Sequence, residues 1–541
     1  MVSSLLLSIL SPLRVVFFFS IFLVDTTSFH GAGASASSAP FFAVNETGNK
    51  DVTAALLNWK STLDNHSQSL LSSWHGDNPC GFTGVTCSDY GAVTHLNLSD
   101  RGLRGTLDGL DFSRLTSVVS FELANNSIYG SIPSSIGNLS KLNTLDLCIN
   151  ELSGDIPPSL GMVGSLHCLD LCANNLSGHI PEEIGRLDSL LELGFSRNNF
   201  IGPIPASLGN LSSLTHLHLW KNQLSGPIPT SLRKLGNLIE LDLSQNSFSG
   251  SIPREISNLR NLKYVWLWQN NLSGLISSEI GRLTSLIHLD LSYNNLTGSI
   301  PRSIGNLTSL SLLHLSANEI SGSIPEEIGR LPSLESLMLF DNYLSGPIPA
   351  SLGKLGNLTF PLRSFDVADN ELDGELPEDV CLGRSLRFFS VFNNHFTGPI
   401  PTSLANCSTL IRLRLEGNQL IGNITKAFGI YPHLEYMDLS HNHLNGELSW
   451  KWDHCRNLTS FKISNNNISG EIPAVFGKMA QLKVLNLSSN NLRGKIPRGF
   501  GSLSMFSTRL MHKLVELEFE QKQIPEKYSS SNSQCTSPRG S

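Results

Sequence analysis

Aromatic, histidine and aspartate side chains recur along this chain at spacings set by a 24-residue repeat. Tryptophan and tyrosine rings offer large apolar contact areas to a partner, and imidazole groups change charge near about pH 6.5. This combination suits recognition of an extended peptide. The candidate peptide-binding residues of this strip are His218, Trp220, Asp242, Tyr264, Trp266, Trp268, His288, Asp290, His314 and Phe340. The alternative is an incidental surface or one shielded by glycans.

A second candidate feature is the pair Arg412 and Arg414, separated by one leucine. Two guanidinium groups on one face can hold a carboxylate through charge-assisted hydrogen bonds, each contributing about 1.5 to 3 kcal/mol. The alternative is a structural network in which the arginines pair with Glu416 or Asp438 on the same face.

Enzyme motifs are missing from the sequence. It contains no Gly-x-Ser-x-Gly, no His-Glu-x-x-His, no Walker loop and no kinase signature. The pairs His216/His218 and His441/His443 have spacing that could bind a metal, but no third ligand follows at metal-site spacing, so solvated repeat faces explain them better. We therefore predict no catalytic residue, metal or cofactor, and expect that this chain is not an enzyme.

The elements that position these residues follow from one pattern, LxLxxNxLxGxIP, which occurs seventeen times between Leu96 and Pro497. In the copy LDLSYNNLTGSIP, residues 289–301, alternating leucines predict a short strand with Asp290 and Ser292 pointing outward. Asn294 would turn the chain and bond buried backbone groups. The pattern predicts a leucine-rich-repeat solenoid of about 17 repeats, a right-handed superhelix with a concave parallel β-sheet.

Composition and charge indicate an extracellular chain. Charged residues make up only 15% of it, and the net charge is −7 without a basic cluster, which argues against nucleic acid as a partner. Residues 1–36 read as a signal peptide, and sixteen Asn-x-Ser/Thr sequons predict a glycoprotein that is secreted or lies on the outer face of the plasma membrane. The sequons singled out for glycosylation are Asn45, Asn125, Asn138, Asn210, Asn306 and Asn357.

The domain boundaries follow from changes in the repeat. We expect a helical N-terminal cap at residues 51–88, repeats at 89–503 and an atypical polar tail at 504–541. Cys80 and Cys87, six residues apart in a secreted chain, predict a disulfide within the cap; two free thiols are the alternative. Cys148 and Cys172 hold the same outward slot in adjacent turns, within disulfide reach, and both states remain open.

The consensus LSGxIPxxLGxLxxL, together with the cap, resembles the extracellular part of plant leucine-rich-repeat receptor-like kinases over residues 51–498. The stretch LSWKW, residues 448–452, is most similar to the group that perceives serine-rich endogenous peptides. This resemblance implies a plant-type solenoid, a secreted peptide ligand, a leucine-rich-repeat co-receptor kinase as second partner, and a monomer when alone. It also implies a disulfide between Cys381 and Cys407, and binding of the free C-terminus of the ligand by Arg412 and Arg414.

Two departures from this family and one alternative function complete the expectations. The interval from Asn342 to Asn370 is 28 residues, with TFPL at 359–362 as either a true bulge or a junction. No spanning helix or kinase follows the repeats, which predicts a truncated product, and a longer product of the same gene would carry a serine/threonine kinase domain. The alternative function is a secreted decoy receptor or an inhibitor of wall-degrading enzymes similar to polygalacturonase inhibitors.

Overall fold

The computed structural model describes residues 46–352, 362–381 and 383–495. The chain divides into two units, Met1–Asn45 and Glu46–Ser541, and the description concerns the second. The expected signal peptide, Asn45, Asn357, residues 359–361 of the four-residue insertion, the end of the repeats and the polar tail all lie outside the described residues.

The N-terminal cap covers the first edge of the core. It contains the α-helices Glu46–Thr62 and Asn65–Leu70. Trp59 and Trp74 are fully buried, with ring centroids 6.1 Å apart, and Trp74 stacks on Phe82 at 5.4 Å. Cys80 and Cys87 form a disulfide with their Cα atoms 5.6 Å apart. The cap thus covers the apolar edge of the first turn, which an open solenoid end would expose.

Most of the fold is a sheet of 18 strands, one from each turn after the first pair. Val85–Cys87 runs antiparallel to Val93–Asn97, and all later neighbours pair in parallel. The register is 25 residues for the first parallel pair, 28 between Ser336–Met338 and Ser364–Asp366, and 24 for the others. The strands of this long sheet are Val85–Cys87, Val93–Asn97, Ser120–Glu122, Thr144–Asp146, Cys168–Asp170, Glu192–Gly194, His216–His218, Glu240–Asp242, Tyr264–Trp266, His288–Asp290, Leu312–His314, Ser336–Met338, Ser364–Asp366, Phe388–Ser390, Arg412–Arg414, Tyr436–Asp438, Ser460–Lys462 and Val484–Asn486.

A second set of short parallel strands follows the asparagine of each repeat and forms sheets of four, eight and four strands. They are Arg104–Gly105, Ser127–Gly130, Glu151–Gly154 and Asn175–Leu176; Ile201–Gly202, Gln223–Gly226, Ser247–Ser251, Asn271–Leu275, Asn295–Gly298, Glu319–Gly322, Tyr343–Pro347 and Glu371–Asp373; and Ile421–Asn423, His443–Glu447, Asn467–Glu471 and Asn491–Arg493. The sequence pattern did not predict this second layer.

Short 3-10 helices complete the turns. Those in the described part of the chain are Pro79–Gly81, Phe112–Arg114, Ser134–Asn138, Pro158–Met162, Glu182–Arg186, Ala206–Asn210, Thr230–Lys234, Arg254–Asn258, Ser278–Arg282, Arg302–Asn306, Glu326–Arg330, Thr402–Asn406, Trp450–His454 and Ala474–Lys478. One turn has the α-helix Ile424–Ala427 at this place instead. Proline precedes most of these helices, where its fixed φ suits the helix start and no backbone N–H is lost from a ladder.

The asparagine ladder explains why the period is held so strictly. Asn294 is buried, and its amide donates to the carbonyl oxygens of Leu267, Leu291 and Ser292 at 3.0 to 3.1 Å. Its Oδ1 accepts the N–H of Leu272 at 3.0 Å. Backbone groups that no strand ladder reaches are satisfied in this way. The residue before each ladder asparagine has a positive φ, for example 55° at Tyr293.

The core consists of the inward leucines and isoleucines of successive turns, most of them fully buried. The predicted leucine-rich-repeat solenoid is confirmed by this long parallel sheet and its repeated turns. Within the described residues, no helix has the length and apolar character needed to cross a membrane.

Candidate functional site

The candidate site is the outward face of the long sheet. In each strand the middle residue points into the core, while the first and third residues point outward. The residue two positions after the strand also points outward. The parallel register stacks these positions into three rows, so that Tyr264 lies between Glu240 and His288 in the first row, and Trp266 between Asp242 and Asp290 in the second. We call this surface the outward face.

Aromatic rings on the outward face pack on one another. Tyr264 and Trp266 stack at 5.3 Å, and His288 meets Tyr264 edge-on at 5.1 Å and Trp266 at 6.5 Å. All three residues are half-buried, as are Trp220 and Trp268. The sequence thus placed these residues on one surface, and the structure adds that mutual packing reduces the apolar area they expose.

Two histidines of the strip form ion pairs with carboxylates on adjacent turns. His218 Nε2 lies 3.1 Å from Glu240 Oε2. Burial lowers the pKa of His218, but the hydrogen bond with Glu240 and the charges of Asp242, Glu240 and Asp170 raise it overall. His314 Nδ1 lies 3.3 Å from Asp290 Oδ2, while its Nε2 is buried without a hydrogen-bond partner. His314 therefore offers one unused ring nitrogen.

The aspartates of the second row have a structural task that the sequence did not reveal. Asp290 Oδ1 accepts the backbone N–H of Ser292 at 3.1 Å and its hydroxyl at 2.5 Å. Asp242 makes the same two contacts with Ser244. One carboxylate oxygen thus ends the strand as a local cap, and only the other oxygen remains for a further partner, which for Asp290 is His314. Burial raises the pKa of Asp242 to about 6.

Arg412 and Arg414 lie on the outward face but in different surroundings. Arg414 forms an ion pair with Glu416, with Nε 2.8 Å from Oε1, and its guanidinium lies 3.5 Å above the Phe392 ring. Arg412 lies 5.2 Å from the Tyr436 ring centroid. Arg414 thus has the partner that the structural-network alternative named, whereas Arg412 remains half-buried above an aromatic ring.

Within this group, the carboxylate of Glu416 has the least complete hydrogen bonding. Burial raises its pKa to about 7, although Arg414 opposes the rise, and its Oε2 is buried without a hydrogen-bond partner. Sequence reasoning named Glu416 only as a partner for the arginines. It missed Phe392, one repeat before Glu416, and Tyr436, one repeat after Arg412, although the 24-residue period would have identified both. It also missed Glu240, the partner of His218.

The structure also locates the predicted disulfide cysteines and glycosylation sites. Cys381 and Cys407 form a disulfide with Cα atoms 5.9 Å apart, and so do Cys148 and Cys172 at 4.5 Å. Of the six sequon residues singled out from the sequence, the four within the described ranges are exposed: Asn125, Asn138, Asn210 and Asn306. The last three of these end 3-10 helices. Glycans at the last three would lie on the helix side of the turns, away from the outward face.

Comparison with known proteins gives family and structural matches. The profile of the leucine rich repeat N-terminal domain matches residues 49–88, and that of the leucine-rich repeat region matches residues 241–382. The leucine-rich repeat receptor-like serine/threonine-protein kinase RGI4 of Arabidopsis thaliana is 36% identical over 110 residues, 20% of this chain and 10% of that protein. The chain therefore spans about a tenth of the length of that relative.

Solved structures match over most of the chain. The Arabidopsis receptor kinase HAESA ectodomain, in complex with an N-terminal extended IDA peptide hormone ligand, is 34% identical with a TM-score of 0.74, covering 84% of this chain and 80% of that chain. HAESA in complex with IDA and the co-receptor SERK1 is 32% identical with a TM-score of 0.68, covering 84% and 88%.

Proposed function

Because the chain belongs to the leucine-rich-repeat ectodomains of plant receptor kinases, we propose that it binds a secreted peptide along its outward face, outside the cell. The observation that carries the proposal is the cluster of Tyr264, Trp266 and His288. These three half-buried rings pack together on the side of the sheet that faces away from the core. Large rings of this kind commonly anchor protein interfaces. The bound peptides of the HAESA structures support the same use of the fold.

The length of the face sets the size of the ligand. Ten strand steps separate the turn of Trp220 from that of Lys462. At about 4.8 Å per step this gives about 48 Å, and an extended chain advances about 3.3 to 3.6 Å per residue. About 14 residues would therefore fit along the face between these two turns.

Orientation of the peptide would come from Arg412. Its guanidinium stacks on Tyr436 and has no ion pair among the described residues, so it can meet a free C-terminal carboxylate. Arg414 would contribute only when its bond to Glu416 is shared or released. We therefore expect Arg412 to carry most of the carboxylate binding, with Arg414 and Glu416 holding the neighbouring surface.

The test uses a synthetic library of 14-residue peptides offered to the purified glycoprotein. Sequences enriched by the wild-type chain should lose binding when Trp266 and Trp268 are both replaced by alanine. Arg412→Ala should weaken binding of a free-carboxylate peptide at least 10-fold. It should leave binding of the amidated peptide almost unchanged, because the substitution and the amidation remove the same guanidinium–carboxylate contact. Arg387→Ala removes an exposed cation one residue before a strand and serves as the matched control.

Two results would contradict the proposal. If no peptide is enriched, or if the tryptophan variants bind as the wild type does, the outward face is not a peptide groove. If the effects of amidation and of Arg412→Ala add fully, the carboxylate contact is wrong although the aromatic groove stands.

The finer assignments follow from the same family. We propose a leucine-rich-repeat co-receptor kinase as second partner, and a serine/threonine kinase domain for a longer product of the same gene. We also propose serine-rich endogenous peptides as the ligand group, supported by the stretch at 448–452, where Trp452 is buried against Phe461 at 4.9 Å. Enrichment of library peptides without serine would contradict this last assignment.

A further inference from the structure

The carboxylate of Glu416 stands at a position where the fold does not require one. Glu416 lies in the third row of the outward face, two residues after the strand Arg412–Arg414. From Ala124 to Ser488, the other repeats carry serine, alanine, cysteine, tryptophan or phenylalanine at this position. In the turn of Ser244, a hydroxyl is enough to bond the second-row aspartate. Glu416 is therefore a feature of this one turn rather than of the repeat.

The ion pair with Arg414 uses only one oxygen of Glu416. Arg414 donates from Nε, at 2.8 Å, and from one terminal nitrogen to the same oxygen, Oε1. The Glu416 side chain is only 12% exposed, and its Oε2 is buried without a hydrogen-bond partner. A buried carboxylate with one unsatisfied oxygen costs free energy. Stabilisation of the fold therefore does not explain why a carboxylate stands here.

The same ion pair withholds one of two neighbouring guanidinium groups from a ligand. The guanidinium carbons of Arg412 and Arg414 lie 5.2 and 5.9 Å from the centroid of the Tyr436 ring, so both positive charges lie beside one ring. Within the described residues, Arg412 has no ion pair and Arg414 has only the one with Glu416. A ligand carboxylate between the arginines would contact two cations, whereas Glu416 contacts one. An internal and an external carboxylate thus compete for Arg414.

We propose that Glu416 is an internal competitor for the guanidinium of Arg414, and that it must be displaced or protonated before both arginines can hold a ligand carboxylate. The inference rests on the proposed function and concerns regulation of the same site. When Glu416 is ionised, Arg412 binds the ligand carboxylate alone. When Glu416 takes up a proton from solvent, Arg414 joins Arg412.

Charged and titratable groups face this ion pair from neighbouring turns on both sides. They are Asp366, Arg412, Tyr436, Asp438 and Lys462. Asp438 Oδ2 lies 3.5 Å from Lys462 Nζ, so this carboxylate already has a cation. Asp366 faces Arg414 but forms no ion pair among the described residues. Glu416 is thus the carboxylate placed to control Arg414.

Protonation of Glu416 gives the site a pH dependence. Burial raises the pKa of Glu416 to about 7; Arg414 opposes this rise, whereas Asp438 adds to it. With that pKa, the protonated fraction is about 10-fold larger at pH 5.5 than at pH 8. A peptide C-terminus has a pKa of about 3.5 and stays ionised throughout this range. Binding of a carboxylate should therefore strengthen, by up to about 10-fold, as the pH falls from 8 to 5.5.

The experiment is a saturation-transfer NMR titration with N-acetylglycine, whose carboxylate resembles a peptide C-terminus, and with N-acetylglycinamide as the uncharged control. The wild type should bind the acid at least about 3-fold more tightly at pH 5.5 than at pH 8. Glu416→Gln keeps the size of the side chain and removes its charge. At pH 8 this variant should already bind the acid as tightly as the wild type does at pH 5.5. Adding Arg414→Ala should abolish the gain, because the released guanidinium is then missing.

Asp366→Asn is the matched control for the pH response. Asp366 also faces Arg414, and burial raises its pKa to about 6, but it has no ion pair with the guanidinium. The asparagine keeps an oxygen for the N–H of Ala368, which Asp366 Oδ1 accepts at 3.1 Å. Asp366→Asn should therefore retain the difference in binding between pH 5.5 and pH 8.

Each outcome decides the proposal. Acid binding that exceeds amide binding, strengthens at pH 5.5 and gains from Glu416→Gln only when Arg414 is present supports it. Wild-type binding that is unchanged or weaker at pH 5.5, a gain that persists without Arg414, or loss of the pH response in Asp366→Asn would overturn it. If Glu416→Gln unfolds, as thermal unfolding would reveal, the wild-type pH response and its absence in Arg414→Ala still decide. Since the probe is not a peptide, failure here leaves the aromatic groove standing, and failure of the library screen leaves this competition standing.

Discussion

Replacing two neighbouring asparagines of the ladder should cost more than replacing two distant ones. The carbonyl oxygen of Leu267 accepts from Asn270 at 3.1 Å and from Asn294 at 3.0 Å, and no other donor to it occurs among the described residues. Asn294 is also the acceptor for the buried N–H of Leu272. Each ladder carbonyl is therefore shared by the amides of two successive turns.

The magnitudes follow from counting orphaned groups. Asn294→Ala leaves the Leu272 N–H unpaired, which costs about 1 to 3 kcal/mol, but Leu267 keeps Asn270 as its donor. Adding Asn270→Ala orphans the Leu267 carbonyl as well. The adjacent double variant should thus exceed the sum of the single variants by about 1 to 3 kcal/mol. Asn294 and Asn342 share no carbonyl, so that pair should be additive within about 0.5 kcal/mol.

Guanidinium unfolding followed by circular dichroism measures the free energy of unfolding of the two double variants and their single parents. Hydrogen exchange of the peptides around Leu267 adds a local reading, because long repeat arrays can unfold in segments. If the adjacent pair is as additive as the distant pair, the shared carbonyl does not couple the turns. Asn294→Ala within about 0.5 kcal/mol of the wild type would refute the ladder's stabilising role altogether.

Three further predictions concern stability. Val265→Leu should fill part of a largely apolar cavity of about 30 Å³ and raise the free energy of unfolding by at most about 0.7 kcal/mol, at about 24 cal/mol per Å³; no change in guanidinium midpoint would contradict it. Ile149 holds φ 56° and is 51% exposed, so Ile149→Asn should gain about 1 kcal/mol, and a lower Tm would count against strain at this turn. Burial raises the pKa of Asp170 and Glu416 to about 7 and of Asp366 to about 6, so the folded chain keeps protons that the unfolded chain loses above about pH 4. Stability should then fall as pH rises toward 7, and a Tm higher at pH 7.5 than at pH 5 would reverse this sign.

The sequence predicted the repeat fold because the leucine and asparagine slots are local and recur every turn. It did not predict the second set of strands, such as Asn295–Gly298, because their pairing depends on stacking of neighbouring turns rather than on an alternating pattern. A helical cap was predicted, but its buried face is set by contacts with the first turn: Leu56 and Trp59 are buried while Leu57 is half-buried.

For the outward face, the sequence gives the position of a side chain and leaves its contacts open. Trp266 and His288 could be placed on one surface from their spacing alone. The bond between Arg414 and Glu416 could not be chosen over a free guanidinium, because that choice depends on Phe392 from the preceding turn. Likewise, the 24-residue period identifies Asp290 as outward without revealing that one of its oxygens ends the strand.

The pairing of a second-row aspartate with the serine two residues later suggests how new specificity can arise in such a surface. In a turn that has both residues, such as Asp242 and Ser244, the serine donates to the aspartate, and the two polar groups offer little to a partner. Substituting the aspartate opens that turn at once and leaves a serine in need of a bond, as at Ser196 and Ser316. In a receptor of this architecture, a single change in the second row can therefore alter the hydrogen bonding of one turn and replace the side chain it presents, while the pattern of the other turns is kept.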